Sequence, residues 1–240
     1  MTRTGLSRTP GTANGHPQGA PATDATRDKL IEAAGRVFAE RGYYSATVRE
    51  ICRRAGVNVA AINYHFGDKL GLYTAVLQES VKAARIDAMN NAFDSDAAPA
   101  EMLRAVIRAR LESVARRGLA DWQLGIMAHE FARPTPALSH IVETVSRPLF
   151  ARLLELIGKI LGLPPDDPKT GLCACSVIGQ ILFYVLGSPL LAHLAPDEAM
   201  TPARVGPIAD HIADFSLAYL REAATQRRQG AAPQPARTAT

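Results

Sequence analysis

The chain has 240 residues, of which 47% are hydrophobic and 21% charged, enough to bury one or two cores. Aromatic residues make up only 6%, and strand-like alternation of Val, Ile and Thr is scarce beside abundant Ala and Leu, which argues against a β protein. A net charge of +4 is compatible with nucleic-acid binding without establishing it. Three cysteines, Cys52, Cys173 and Cys175, do not suggest a secreted disulfide framework and fit a reducing cytosol better.

The opening residues 1–23 are rich in Gly, Pro, Thr and Ala, with Arg3 and Arg8, no acid and no apolar signal core. They read as a disordered, weakly basic arm. Residues 24–68 carry three helical patterns. In the first, Leu30, Ile31, Ala34, Val37 and Phe38 share one face, and Gly42 supplies a stop. Thr47-x-x-Glu50 has the form of a capping box opening a second helix, with Val48, Ile51, Cys52 and Ala55 inward. Gly56 permits a left-handed turn, and Asn58 can cap a third helix with Ile62 and Phe66 inward.

Residues 69–228 hold six further helical patterns: Lys69 to Asn91, Pro99 to Arg117, Asp121 to Phe131, a long segment kinked at Pro148, Pro168 to Leu194 and Pro202 to Gln226. Residues 229–240 look unstructured. The sum is an all-α chain of nine helices. The run Cys173 to Leu194 is uncharged and long enough to span a bilayer. Ser176, Gln180, Ser188, Pro189 and His193, with no flanking basic cluster, favour a helix buried at a subunit interface.

The chemistry concentrates in TVREICRRAGVNVAAINYHFGDK, residues 47–69. Capping box, glycine turn and a second helix with a small, flat polar tip are the parts of a helix-turn-helix. The outward residues Val59, Ala60, Ala61 and Asn63 sit where base edges are reached, the methyls suiting thymine and Asn63 suiting adenine or phosphate. Tyr64 and His65 fit as phosphate donors or groove-wall contacts, Lys69 as a phosphate ligand, and Thr47 and Arg49 the opposite backbone, beside the capping Asn58. Each residue alone has an ordinary structural reading; the ordered set favours DNA.

This stretch, with the preceding FAERGYYSATV, resembles the DNA-binding domain of the TetR family of bacterial transcriptional regulators over about residues 25 to 75. Ile62-Asn63 stands where many members carry Leu-Tyr. Asn-Tyr-His-Phe, followed by MAHEFARPTPAL, RPLFARLLELIGKILGLP and SVIGQILFYVLGSPLL, is similar to the CecR-type subfamily over about residues 97 to 224. The resemblance implies a nine-helix TetR-like fold, with three helices in the DNA-binding domain and a fourth as connector. It also implies a homodimeric repressor on a palindromic operator of double-stranded DNA, released by a small-molecule inducer. Efflux or transport genes and the protein's own gene are the implied targets. The last two helices would form a four-helix bundle with the partner. Its interface residues would be Ile178, Ile181, Leu182, Val185 and Leu190 on one helix, and Ile212, Phe215 and Tyr219 on the other.

An inducer would then bind between about Tyr73 and Tyr184. The candidates are Trp122, Met127, His129 and Phe131, then Phe150, Gln180, Phe183 and Tyr184, with core packing the competing reading for each. Trp122 and Gln180 stand out because a buried polar tip needs a partner. No cofactor or metal site is expected: Cys173-Ala-Cys175 lacks a second ligand cluster, and Arg133 stands where H-E-x-x-H requires histidine. Catalytic glycine loops and paired-carboxylate motifs are missing too, so an enzyme is not expected. The cytoplasm is the expected location, with a membrane-tethered or ligand-independent DNA binder as alternatives.

Overall fold

A computed structural model describes residues 20–83, 86–115 and 122–230. Within them the chain is helical throughout: α1 (Ala20–Ser45), α2 (Val48–Ala55), α3 (Ala60–Phe66), α4 (Lys69–Ala83), α5 (Ile86–Phe93) and α6 (Pro99–Ala115). There follow α7 (Trp122–Ala132), α8 (Pro136–Ile141), α9 (Arg147–Leu161), α10 (Pro168–Leu186), α11 (Ser188–Leu194) and α12 (Val205–Gly230). Most of the proposed arm and tail lies outside the described residues, although α1 reaches back to Ala20 and α12 forward to Gly230.

Nine helical patterns become twelve α-helical segments among the described residues, for local reasons. The pattern from Lys69 to Asn91 is described as α4 and α5, with residues 84 and 85 outside. The pattern around Pro148 holds a π-helical turn, Val142–Ser146, between α8 and α9. Pro148 has no N–H to donate and its ring crowds the preceding turn, and the widened π-helical turn lies just before it. The neutral run divides at Gly187, after which Pro189 opens α11.

Two apolar cores result. The first joins Leu30, Val37 and Phe38 of α1 to Ile51 of α2 and Ile62 of α3, and extends through Leu72, Tyr73, Val76 and Leu77 of α4. It does not stop at residue 68: Ile126 of α7, with Ala137 and Ile141 of α8, is buried in the same cluster. The second is built from α6, α9, α10 and α12, with Ile107, Leu111, Ile157, Ile212 and Leu217 almost fully enclosed. Arg104 and Arg108 of α6 clamp α12 from outside, Arg104 to Asp214 at 2.6 Å and Arg108 to Asp210 at 2.7 Å.

Candidate DNA-binding surface and ligand cavity

At the N-terminus of α2, Thr47 Oγ1 accepts the Glu50 N–H at 3.2 Å. The reciprocal half of the capping box is not the observed use of Glu50. Its carboxylate takes Arg54 at 3.0 Å and Arg41 at 3.2 Å, because two cations lie within reach. Arg54 also forks onto both oxygens of Glu40, at 2.7 and 2.6 Å. That hydrogen bond holds the Glu40 carboxyl below its ordinary range. Arg54 therefore braces α2 against α1, while Arg49 and Arg53 stay exposed. Gly56 takes φ 68°, ψ 33° and donates to Cys52 O, turning the chain in the left-handed region that disfavours a β-carbon.

Asn58 Oδ1 accepts the Ala60 N–H at 3.0 Å, and its carbonyl accepts the Ala61 N–H at 3.0 Å. Asn58 thus caps α3 with the oxygen that a base contact would otherwise use. Beyond it, Ile62 anchors the inner face at 0% exposure, while Tyr64 stands 78% exposed. Val59, Ala60 and Asn63 are exposed on the outer side, and Ala61 and His65 are half-buried. His65 lies edge-on to Tyr64, with ring centroids 5.0 Å apart. Lys69 does not project freely: its Nζ sits 4.6 Å from the Tyr43 ring centroid and 3.5 Å from Tyr44 O. Partial burial there pulls the ammonium below its ordinary pKa.

Between the two cores lies a cavity of about 380 Å3, within the range of small-molecule sites. Its walls are α4 to α10: Val81 and Phe93 at one side, Ile107 and Arg110 of α6, Leu149 and Leu153 of α9. Of the ligand candidates, Met127, Phe131 and Phe150 line it. The other five ligand candidates do not. Trp122 Nε1 instead donates to Glu32 Oε2 of α1 at 3.2 Å. His129 Nε2 meets Ala39 O of α1 at 3.1 Å. Gln180 donates to Ser216 Oγ of α12 at 3.2 Å. Tyr184 packs at the edge of the second core, and Phe183 points outward at 50% exposure.

The dimer candidates divide in the same way. Ile181, Val185 and Ile212 are buried within the protomer as part of the second core, Ile181 also lining the cavity. Ile178 and Leu182 line the cavity. Leu190, Phe215 and Tyr219 are exposed at 53%, 63% and 56%, as are Phe183 and Leu172, so α10, α11 and α12 each present apolar side chains outward. Helix α10 is long and apolar enough to cross a membrane by composition. Its buried side nevertheless belongs to the second core. Cys173 is buried, which raises its thiol pKa, whereas Cys175 is exposed and fills no core position.

Helix α7 is the element that sequence reasoning underrated. One side lines the cavity through Gln123, Leu124, Met127 and Phe131. The other side lies against α1 so closely that a β-carbon on Gly35 would stand 2.6 Å from the Trp122 ring, and one on Gly125 would stand 2.9 Å from Ala39 Cβ. Glu130, one turn beyond Ile126 on the buried face, accepts Tyr73 Oη at 2.6 Å, the Thr135 N–H at 3.1 Å and the Thr135 hydroxyl at 2.8 Å. A charged residue at an inward position was the available signal for this network.

This arrangement, a helix-turn-helix abutting a cavity-bearing helical body, has counterparts. Residues 30–76 match the family model described as bacterial regulatory proteins, tetR family. Residues 99–220 match the C-terminal domain of the HTH-type transcriptional dual regulator CecR. The chain belongs to the TetR family. Such proteins are DNA-binding transcriptional regulators rather than enzymes, and this chain is CecR-like. It is 33% identical to the dual regulator CecR of Shigella flexneri over 178 residues, 68% of this chain and 77% of that one. It is 38% identical to the transcriptional activator FasR of Mycolicibacterium smegmatis over 86 residues, 36% of this chain and 39% of that one. A crystal structure of AibR with isovaleryl coenzyme A and operator DNA superposes with a TM-score of 0.60 at 22% identity, covering 79% of this chain and 97% of AibR.

Proposed function

We propose that this TetR-family regulator acts as a cytoplasmic homodimer on a palindromic operator and is released from it by a small-molecule inducer, so that it represses until the inducer arrives. Its targets on this reading are efflux or transport genes and its own gene. The observation that carries the reading is the shared wall. Helix α7 lines the cavity on one side and packs on α1 of the helix-turn-helix on the other. A ligand that favours one position of α7 then favours one placement of α3, and it does so only through differential affinity for the two placements.

Dimerisation is supported by the exposed apolar side chains Phe183, Phe215 and Tyr219. One helix-turn-helix contacts too little DNA for tight specific binding, whereas a two-fold pair sets two recognition helices about 34–36 Å apart, or a near multiple. AibR, caught with an acyl coenzyme A and operator DNA, shows the same fold engaging both ligand classes in one protein. On the DNA, Asn63, Ala60 and Val59 meet the major groove, Tyr64 and His65 meet phosphates or the groove wall, and Thr47 and Arg49 meet phosphates.

The reading is tested by binding purified protein to labelled DNA from upstream of its own gene and titrating small molecules. Release by a compound that binds one per protomer supports it. Operator binding that no cavity ligand alters would leave a ligand-independent regulator.

A further inference from the structure

Two tyrosines near the end of α1 each carry a cation. Tyr43 and Tyr44 meet edge to face, with ring centroids 5.3 Å apart. Lys69 of α4 is half-buried against them, tied to the Tyr43 ring and to Tyr44 O. Arg133, directly after α7, lays its guanidinium over the other ring, 4.1 Å from the Tyr44 centroid. Unlike Lys69 it is exposed, and Tyr44 beneath it is 49% exposed. Among the described residues no carboxylate pairs with either cation. Burial, and after it the charge of Asp68, raise the Tyr43 phenol pKa, but Asp68 itself accepts the Gly71 N–H at 2.8 Å.

The packing of α7 on α1 brings Arg133 to this end. Trp122 lies beside Gly35, Gly125 beside Ala39 and His129 beside Gly42, so the two helices run side by side in one direction. Continuing that register places Arg133 at Tyr44. Tyr44 in turn stands three residues before Thr47, the cap of α2. Arg133 therefore reaches, from the helical body, the end of the helix-turn-helix where Thr47 and Arg49 meet the DNA backbone.

We propose that Arg133 is a ligand for an operator phosphate, contributed by the helical body rather than by the helix-turn-helix. The tyrosine ring covers one face of the guanidinium and leaves the in-plane N–H edge open, the edge that takes a phosphate in a fork. Stacking also fixes the side chain in advance, so less freedom is lost when the anion arrives. Lys69 beside it adds a second positive charge that no described carboxylate offsets, and the pair attracts an anion. The inference rests on the DNA-binding function and not on the inducible reading. It adds one consequence to that reading: Phe131 lines the cavity two residues before Arg133, so one end of α7 carries both a ligand wall and a DNA contact.

The test uses the purified full-length protein, a duplex that the wild type selects from a random pool, and a scrambled duplex, with anisotropy read across a salt series. Arg133→Gln is expected to weaken both duplexes by the same factor, about fivefold to tenfold. The slope of log affinity against log salt is expected to fall by about one for each protomer bound. Arg133→Lys keeps the charge and is expected to restore the slope. Should Arg133→Gln fail to fold, Arg133→Met leaves an apolar stem over Tyr44 without the charge and carries the same expectation. A salt slope equal to the wild type's in the neutral variant would overturn the assignment, because a purely structural role at Tyr44 moves affinity and leaves the slope alone. Weakening confined to the selected duplex would overturn it as well, since a phosphate contact carries no sequence preference. Equal wild-type affinity for the selected and scrambled duplexes would instead defeat the sequence-specific reading of the regulator, while a slope change in Arg133→Gln would still uphold the phosphate contact.

Discussion

Tyr73 of α4 and Glu130 of α7 meet across the junction between the helix-turn-helix and the helical body, the phenol donating to the carboxylate at 2.6 Å with both residues 1% exposed. A buried carboxylate is tolerated only when its lone pairs are occupied, and Thr135 supplies the remaining donors. Tyr73→Phe removes one donor and leaves the charge in place. We expect a loss of about 1–3 kcal/mol in urea unfolding at fixed protein concentration. Burial first, then the hydrogen bond to Glu130, hold the phenol well above its ordinary pKa of 10.0. The folded chain therefore keeps a proton that the unfolded chain loses. That stability is complete below about pH 10 and declines as pH rises further. The phenylalanine variant is expected to show a shallower alkaline decline, and an identical one would remove Tyr73 as the cause.

Gly35→Ala tests the contact between α1 and α7. The added β-carbon meets the Trp122 ring at 2.6 Å, so the indole must move. Overpacking of this kind costs about 1–3 kcal/mol. Trp122 is the chain's single tryptophan, so its emission reports the displacement directly. An unchanged spectrum with unchanged stability would contradict the close packing.

Tyr64→Ala removes an exposed side chain from α3 without touching either core. Operator affinity is expected to fall about tenfold, roughly the worth of one good contact, with dimerisation and helicity retained. Arg49→Ala is expected to weaken all sequences alike and lower the salt slope by about one. Sedimentation and circular dichroism check that neither variant is monomeric or unfolded.

Phe183→Lys places a charge at an exposed apolar position of α10. It should convert the dimer to monomer at micromolar concentration, read by sedimentation equilibrium. A dimer that survives the change locates the interface elsewhere.

The helix-turn-helix was legible because its signals are local: a cap, a glycine turn and an i, i+4 stripe through Ile62 and Phe66. Direction around a helix was legible only where polarity alternates. Helix α10 carries no charge after Lys169, so Ile181 at the core and cavity wall, Leu182 at the cavity and Phe183 facing outward could not be told apart by composition. Trp122 and Gln180, both half-buried, have polar partners on α1 and α12, away from the cavity. The bracing of Arg54 by Glu40 spans fourteen residues, and the meeting of Tyr73 with Glu130 spans fifty-seven. Contacts of that range depend on how α1, α4 and α7 pack, which no local pattern encodes. Glu130 was the exception that offered a clue, as a charge on the inward face of α7.

The central claim is that the cavity and the recognition helix act through one shared element. Fluorescence anisotropy on labelled upstream DNA tests it most directly, with a cavity-binding inducer found by small-molecule screening titrated into the wild-type complex and into the Gly35→Ala complex. The account predicts release of the wild type and a shifted ligand midpoint in the variant, because Gly35 touches neither DNA nor cavity and acts only through Trp122 on α7. Tight operator binding with the same midpoint in both proteins would contradict it.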